Sequence, residues 1–387
     1  MRILHISSSF YPNIGGIENY VLNLCQQLIE RGHQSDVLTL RKRHNSKNVL
    51  KSHEKYRGID IQRVSHLGPE RYKIFPPLLK YLEDYDILHI HSVKDFCNYF
   101  ALRKWLHKKP IVVSTHGGFF HTRKYRSIKK IYFRTILPVV LQHVDKVLAV
   151  SSHDYDMFRK ICKHTILVQN GIDFRGFSQV NKNIQKNSFL YYGRISKNKR
   201  LDNLVKTFSY LKQDIPDFKL NIIGPDWEDL MERLQILVKN EGIENNVCFV
   251  GEVKNDVLLK YLETSQYFVS ATEYEGFGLT VLEAMASQTI PIVNDINPIN
   301  QFVKNGQNGY VVNFFKHKNS AEEIFNITKI SSEKMKIISA NAYNTAKEFS
   351  WEKVAEKIED IYLQIIKSNQ IEMASNGQNT FNYNTGV

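Results

Sequence analysis

Four cysteines in 387 residues is few, and Cys25, Cys97, Cys162 and Cys248 form no C-x-x-C pair and no ligand spacing. A disulfide framework and a structural metal are therefore not expected, and the four read as reduced, mostly buried thiols. No stretch approaches the roughly 18 apolar residues that would span a bilayer. The opening residues Met1 to Ile6 read as the start of a strand rather than a signal peptide, so the expectation is a chain that stays in the cytosol. The G-x-G-x-x-G pattern of dinucleotide binding is also missing, which removes most of the support for an oxidoreductase, and no nucleic-acid-binding motif occurs.

What is present is a chain long enough for two α/β domains, 42% hydrophobic and 12% aromatic. Only the tail Asn369 to Val387, rich in Asn, Gln, Thr and Gly, reads as unstructured. The net charge of +13 is unevenly distributed: up to residue 175 there are 29 lysines and arginines against 14 acidic residues, and after it 23 against 25. That asymmetry fits an anionic surface touched by the first half, or a generally basic proteome, and composition does not choose.

Short apolar runs alternate with helical patterns. Arg2 to Ser7, Ser35 to Leu40, Ile59 to Val64, Ile87 to His91, Ile111 to Ser114, Lys146 to Val150 and Thr165 to Gln169 read as strands, with helices such as Glu18 to Arg31 between them. This alternation predicts a parallel sheet covered on both faces. Phe174 to Asn187 is polar and aperiodic and reads as a linker. The alternation restarts with Phe189 to Gly193, Lys219 to Gly224, Val247 to Gly251, Tyr267 to Ser270 and Ile290 to Val293. The expected organisation is a first domain over 1–175, a second over 186–350, and a helix over 351–367 whose stripe Val354, Ile358, Ile361, Ile365 and Ile366 must cover something.

Three segments carry chemistry. Gly15-Gly16-Ile17-Glu18 lies between the first strand and a helix, where main-chain amides can approach a phosphate, although such a turn is by itself common. The strongest is Glu275-Gly276-Phe277-Gly278-Leu279-Thr280-Val281-Leu282-Glu283. It sets two carboxylates around a glycine-bearing turn at a helix N-terminus, so amides can hold a diphosphate while both side chains accept from hydroxyls. Gly193-Arg194 with Lys199 puts two cations at the carboxyl end of a strand, where ligands bind in open α/β sheets.

With Asp86 to Ser92, Thr115-His116-Gly117-Gly118, Val150-Ser151-Ser152 and Asn170-Gly171-Ile172-Asp173, these segments resemble glycosyltransferase family 4 over nearly the whole chain. The resemblance implies retaining enzymes of the GT-B fold: two doubly wound Rossmann-like domains facing across a cleft, with the C-terminal helix crossing back to the first. It implies that Arg194 and Lys199 neutralise the donor diphosphate and that Glu283 binds the ribose. Glu275 would contact the transferred sugar beside the amides of Phe277 to Leu279, and His116 would lie near the sugar or its anomeric carbon. Arg200 stands where the family often has Gly, and Gln301 where an acid is common. The run Thr115 to Thr122 is similar to that of bacterial mannosyltransferases of polysaccharide assembly, which puts GDP-mannose ahead of UDP-sugars as donor. A glycan or lipid-linked glycan is the implied acceptor.

Other signals read as structure. Asp84-Tyr85-Asp86 spells a D-x-D, yet at the amino end of its strand, away from a carboxyl-end site. His89 and His91 share one strand face without a third partner, so no metal and no other cofactor is predicted. The run His121 to Phe133 mixes Arg123, Lys124, Arg126, Lys129 and Lys130 with aromatics; it suits an anionic leaflet or a core-facing helix with a basic outer face. No nucleophile presents itself, so retention points to same-face transfer through an oxocarbenium-like state. The competing reading, an idle anion-binding adaptor docked on membranes, is opposed by the survival of both carboxylates and both cations.

Overall fold

A computed structural model of the chain describes residues 1–42, 49–68, 73–117 and 126–381. The chain divides into two compact units, Met1–Gly171 with Trp351–Val387, and Ile172–Ser350. The first is built on eight strands: β1 (Arg2–Ser7), β2 (Gln34–Leu40), β3 (His53–Tyr56), β4 (Ile59–Val64), β5 (Ile87–His91), β6 (Ile111–Ser114), β7 (Lys146–Ala149) and β8 (Thr165–Leu167). Their order is β3-β4-β2-β1-β5-β6-β7-β8, and every pairing is parallel except β3 against β4. The second holds β9 (Ser188–Tyr192), β10 (Lys219–Ile223), β11 (Val247–Gly251), β12 (Tyr267–Ser270), β13 (Ile290–Val293) and β14 (Tyr310–Val311), ordered β11-β10-β9-β12-β13-β14 and parallel throughout.

Both orders contain a reversal. In the first sheet the chain moves from β1 outward through β2 and β4, then returns to β5 on the other side of β1; in the second it leaves β9 for β10 and β11 and returns to β12. At such a point the loops leaving two neighbouring strands diverge to opposite faces, opening a crevice at the strands' carboxyl ends. His91 ends β5, and Gly193-Arg194 follow β9, so each reversal meets a segment the sequence singled out.

The central strands are buried on both faces. All five residues of β5 and all five of β9 are buried, the two histidines of β5 included. The helix Gly16–Glu30 buries Tyr20, Val21, Leu24, Cys25 and Leu28 on one stripe, and Gly32 ends it at φ 84°. The helix Trp351–Phe381 belongs to the first unit: Trp351, Val354, Ala355, Ile358, Tyr362 and Ile365 pack with Tyr20, Leu24 and Leu28 and with Ile3, Ile87 and Val112 of the sheet. Each aliphatic side chain so buried contributes about 1.5–3 kcal/mol. Gly171 is where this helix meets the chain it returns to, since a Cβ there would come within 2.5 Å of the Trp351 indole.

The structure departs from the sequence reading at three places. The antiparallel edge strand β3 and the two-residue β14 are too short and too exposed to give a pattern. The polar stretch after Asp173 begins with the helix Phe174–Ser178, whose Phe174 and Phe177 are buried and whose first turn Asp173 caps through Gly176 N at 3.0 Å. The last helix continues to Phe381, well into the segment from Asn369 expected to lack structure; residues 382–387 lie outside the described residues.

Candidate active site

In the second unit, the carboxyl ends of β9 and β12 hold the predicted residues. Gly193 and Gly224 stand back to back at φ 143° and 142°, and a Cβ on Gly224 would lie 1.9 Å from the Gly193 carbonyl oxygen. No other residue allows the loops after β9 and β10 to run so close. They then pair, with Ile195 N donating to Pro225 O at 2.9 Å and Trp227 N to Ile195 O at 3.1 Å. The loop after β9 is tied on its other side to the loop after β12: Glu273 N donates to Asn198 O, and Asn198 Nδ2 to Tyr274 O, each at 3.0 Å.

This bracing delivers Lys199, at the end of a short 3-10 turn and buried, onto the Glu275 carboxylate, with which it forms an ion pair. The other Glu275 oxygen accepts from Gly276 N at 3.1 Å. Gly278 then starts the helix Leu279–Ala286 from φ 96°, and a Cβ there would come within 3.1 Å of Phe302 and 3.2 Å of Ile299. Among the described residues no side chain caps that helix, so its first amides and the positive end of its dipole stay open to an anion. Phe277 turns its ring into the core beside Phe302 and Phe349, which leaves only its main chain for a ligand.

One turn further on, Glu283 is half-buried, and its Oε2 lies 3.2 Å from the Tyr192 hydroxyl. Burial pushes its pKa up to about 7, with the Tyr192 hydrogen bond acting against that rise and the Asp173 charge adding to it. Arg194 is placed differently from Lys199: it is exposed, and its guanidinium lies over the Trp227 ring, 4.4 Å from the centroid. Arg200 has φ 49°, a left-handed backbone that explains why glycine suits this position; here ion pairs to Asp202 at 3.1 Å and Glu273 at 2.9 Å hold it instead. Gln301 reaches Asn297 Oδ1 at 2.7 Å. A cavity of about 550 Å³, lined among others by Lys197, Arg200, Asp202, Lys206, Arg233 and Glu273, opens in the same unit but includes neither Glu275 nor Glu283.

In the first unit, Gly15 and Gly16 open the helix Gly16–Glu30. The Glu18 carboxylate folds back to within 2.4 Å of where a Gly15 Cβ would be, while around Gly16 there is open space. His116 follows β6 in a left-handed conformation, φ 54°. The buried Asp154 holds it there from both sides, accepting from Thr115 Oγ1 at 2.6 Å and Gly117 N at 2.8 Å. The sheet register brings His5 beside His89, and His91 one pleat further on the same face. Four imidazoles therefore gather: His5 Nδ1 lies 3.0 Å from His91 Nε2, and His91 Nδ1 lies 2.9 Å from His116 Nε2. His89 instead bonds the Tyr362 hydroxyl at 2.6 Å and the Ser114 hydroxyl at 2.8 Å. Burial pushes His5 and His116 down to about 3 and lowers His89 and His91 well below the usual imidazole range, so all four are neutral.

The pair His89 and His91 thus has partners that the sequence did not reveal, His5 and His116, and the ligand atoms of His5, His89 and His91 lie within 4.8 Å of one another. Asp84 and Asp86 are spent at the amino end of β5, on the Arg2 guanidinium at 3.3 Å and the Arg2 amide at 2.7 Å. Tyr192, Asp154 and Trp227 support the sites unannounced. A tyrosine preceding Gly193 and an aspartate three residues after Ser151 carried no pattern of their own.

Two doubly wound α/β units, one of them gathering a buried lysine and two carboxylates around a helix N-terminus at the carboxyl ends of its strands, are the architecture of a glycosyltransferase of the GT-B fold. Residues 14–175 match the family described as Glycosyltransferase Family 4, and residues 175–345 that described as Glycosyl transferases group 1. The chain belongs to glycosyltransferase family 4. It is 31% identical over 334 residues to a GDP-mannose:cellobiosyl-diphosphopolyprenol alpha-mannosyltransferase of Xanthomonas oryzae pv. oryzae, covering 84% of this chain and 86% of the relative. The protein of the same description from Komagataeibacter xylinus is 29% identical over 95% of this chain and 94% of its own. Among solved structures, a glycosyltransferase from Rickettsia africae superposes with a TM-score of 0.72 at 19% identity, over 95% of this chain and 99% of the other. HepE of Anabaena, in complex with UDP, gives 0.70 at 16% identity, over 94% and 100%. At these identities the two structures speak for the fold.

Proposed function

We propose that this enzyme transfers mannose from GDP-mannose, with retention and without a metal ion, to a lipid-linked glycan. The observation that carries the reading is the Lys199 and Glu275 pair held beside the uncapped helix Leu279–Ala286. A buried ammonium next to free amides supplies the positive field that a departing nucleoside diphosphate requires, and so takes the part a divalent cation plays elsewhere. In the proposed roles Lys199 and Arg194 hold the diphosphate, Arg194 by leaving its stack on Trp227. Glu283 takes the ribose hydroxyls, Glu275 the sugar beside the amides of Phe277 to Leu279, and His116 is the proposed further contact of the sugar. Gly16, with open space around it, leaves room for a phosphate at the first turn of its helix, while the space beside Gly15 is taken by the Glu18 carboxylate. The domain limits are proposed at Gly171 and Ser350, where the contacts divide. Mannose and the lipid-linked acceptor rest on the activity for which the relatives in Xanthomonas and Komagataeibacter are named.

A lipid-linked acceptor sits at a membrane, and no helix among the described residues is long and apolar enough to cross one. We therefore propose peripheral docking on the cytoplasmic face. The helix Arg126–Leu141 supports it: Phe133, Leu137 and Val140 face the core, while Ile128, Ile131, Ile136 and Val139 stand 50 to 62% exposed beside Lys129 and Lys130. An exposed apolar stripe flanked by cations suits an anionic leaflet. Arg123 and Lys124 lie outside the described residues. The direct experiment offers GDP-mannose, UDP-glucose, UDP-galactose and UDP-N-acetylglucosamine, with a diphosphopolyprenyl disaccharide as acceptor, in excess EDTA. Turnover of GDP-mannose alone, giving an α-linked product, is expected; dependence on added Mg²⁺ or Mn²⁺, or preference for a UDP-sugar, would refute the respective part.

A further inference from the structure

Three of the four clustered histidines form a head-to-tail chain whose protons cannot be placed independently. A neutral imidazole carries one N–H, and a contact between two ring nitrogens needs one hydrogen in it. The contacts run from His5 Nδ1 to His91 Nε2 and from His91 Nδ1 to His116 Nε2. If His91 carries its proton on Nδ1, it donates to His116, whose proton must then sit on Nδ1; His91 Nε2 accepts, so His5 also carries Nδ1–H. If His91 carries it on Nε2, all three rings reverse together. The two arrangements differ at the ends, and one end is visible: His5 Nε2 is buried without a partner among the described residues. In the first arrangement that nitrogen is a bare lone pair; in the second it is an N–H with nothing to receive it. An orphaned buried N–H is the rarer and costlier of the two.

We propose that His5 and His91 are positioning residues that fix the tautomer of His116, so that His116 meets the sugar as an Nδ1–H hydrogen-bond donor. The other surroundings agree. His89 stays out of the chain because Tyr362 and Ser114 occupy both its nitrogens, and Tyr20 sets its ring edge-on to His116 with 4.6 Å between centroids. Asp154, the acid that braces this loop, accepts from Thr115 and Gly117 rather than from an imidazole. Among the described residues no carboxylate bonds a ring of the chain, and burial keeps every ring neutral.

The consequence deepens the proposed function and rests on its placement of His116 toward the sugar. A ring that already bears its proton on Nδ1 cannot take one from the acceptor hydroxyl through that atom. It donates instead to an oxygen, either a hydroxyl of the donor hexose or the oxygen of the bond being broken. His116 thus orients and polarises; it is not the base.

The test reads protons directly. In full-length protein with ¹⁵N-labelled histidine, long-range proton–nitrogen correlation spectra distinguish Nδ1–H from Nε2–H rings, with assignments from His5→Asn, His91→Gln and His116→Gln. His5, His91 and His116 should all be neutral with the proton on Nδ1, unchanged from pH 8 to pH 5. His5→Asn, whose amide can still donate to His91, should keep His116 as Nδ1–H, whereas His5→Leu should release it to a mixture. An Nε2–H on His116, a charged ring at pH 7, or near-stoichiometric zinc in the purified protein with metal-shifted nitrogens would each overturn the proposal. Because the spectra are taken without substrate, they stand or fall independently of the donor and acceptor assays.

Discussion

Glu283 changes charge inside the working pH range, and that can be turned into a number. Its carboxyl is held at about 7 by burial, with the Tyr192 hydrogen bond opposing and the Asp173 charge reinforcing. An ionised carboxylate accepts from both hydroxyls of a ribose, whereas a protonated one must itself donate, so donor binding selects the ionised form. With a pKa near 7, the ionised fraction is about nine-tenths at pH 8 and one-tenth at pH 6, which raises the donor KM roughly tenfold, or about 1.4 kcal/mol. The sign for stability is opposite: the folded pKa lies above a glutamate's ordinary value of 4.5, so the stability this group contributes is present below pH 4.5 and lost as pH rises through 7. Lys182 is also pushed down to about 7, but its ammonium serves the carbonyls of Leu262 and Ser265 and the Thr289 hydroxyl. Its titration therefore persists in a Glu283 variant and is removed by comparison. The assay is the KM for GDP-mannose at saturating acceptor from pH 6 to 8, in the native enzyme and in Glu283→Gln. A rise toward low pH in the native enzyme and a flat, uniformly high KM in the variant are expected. A flat native profile, or the same slope in both proteins, would show that Glu283 does not hold the ribose.

Lys199→Ala should lower kcat by on the order of a hundredfold or more, because charge on the leaving diphosphate grows in the transition state; Glu283→Ala should mainly raise KM. If Lys199→Ala altered KM alone, the diphosphate would not lie at the end of β9. For the helix Arg126–Leu141, vesicles with anionic lipid should bind the enzyme more tightly than neutral ones, and less so at high salt. Ile128→Ser with Ile131→Ser should weaken that binding while leaving donor KM unchanged; equal binding to both vesicle types would return the stripe to ordinary surface.

Strands and the loops that carry chemistry are legible in the sequence because both follow from local rules. A short apolar run bounded by turn residues and rich in β-branched side chains favours a buried strand. Gly278 and Gly193 mark turns that no other residue makes comfortably, so Glu275-Gly276-Phe277-Gly278 and Gly193-Arg194 could be placed at strand ends before any packing was known. Even Arg200, a departure from the pattern, sits where the backbone is left-handed and shows what the usual glycine is for. The tertiary structure alone decided which of these ends meet. The period of a strand says which face a side chain takes, but strand order and register decide its neighbours. So His5 and His91, 86 residues apart, become hydrogen-bond partners only because β1 lies beside β5. The same holds for Lys199 on Glu275, for Tyr192 under Glu283, and for Arg194 drawn onto Trp227, a contact no charge pattern predicts. Local residue types set the chemistry available to this enzyme; the order of strands in its two sheets set which groups could act together.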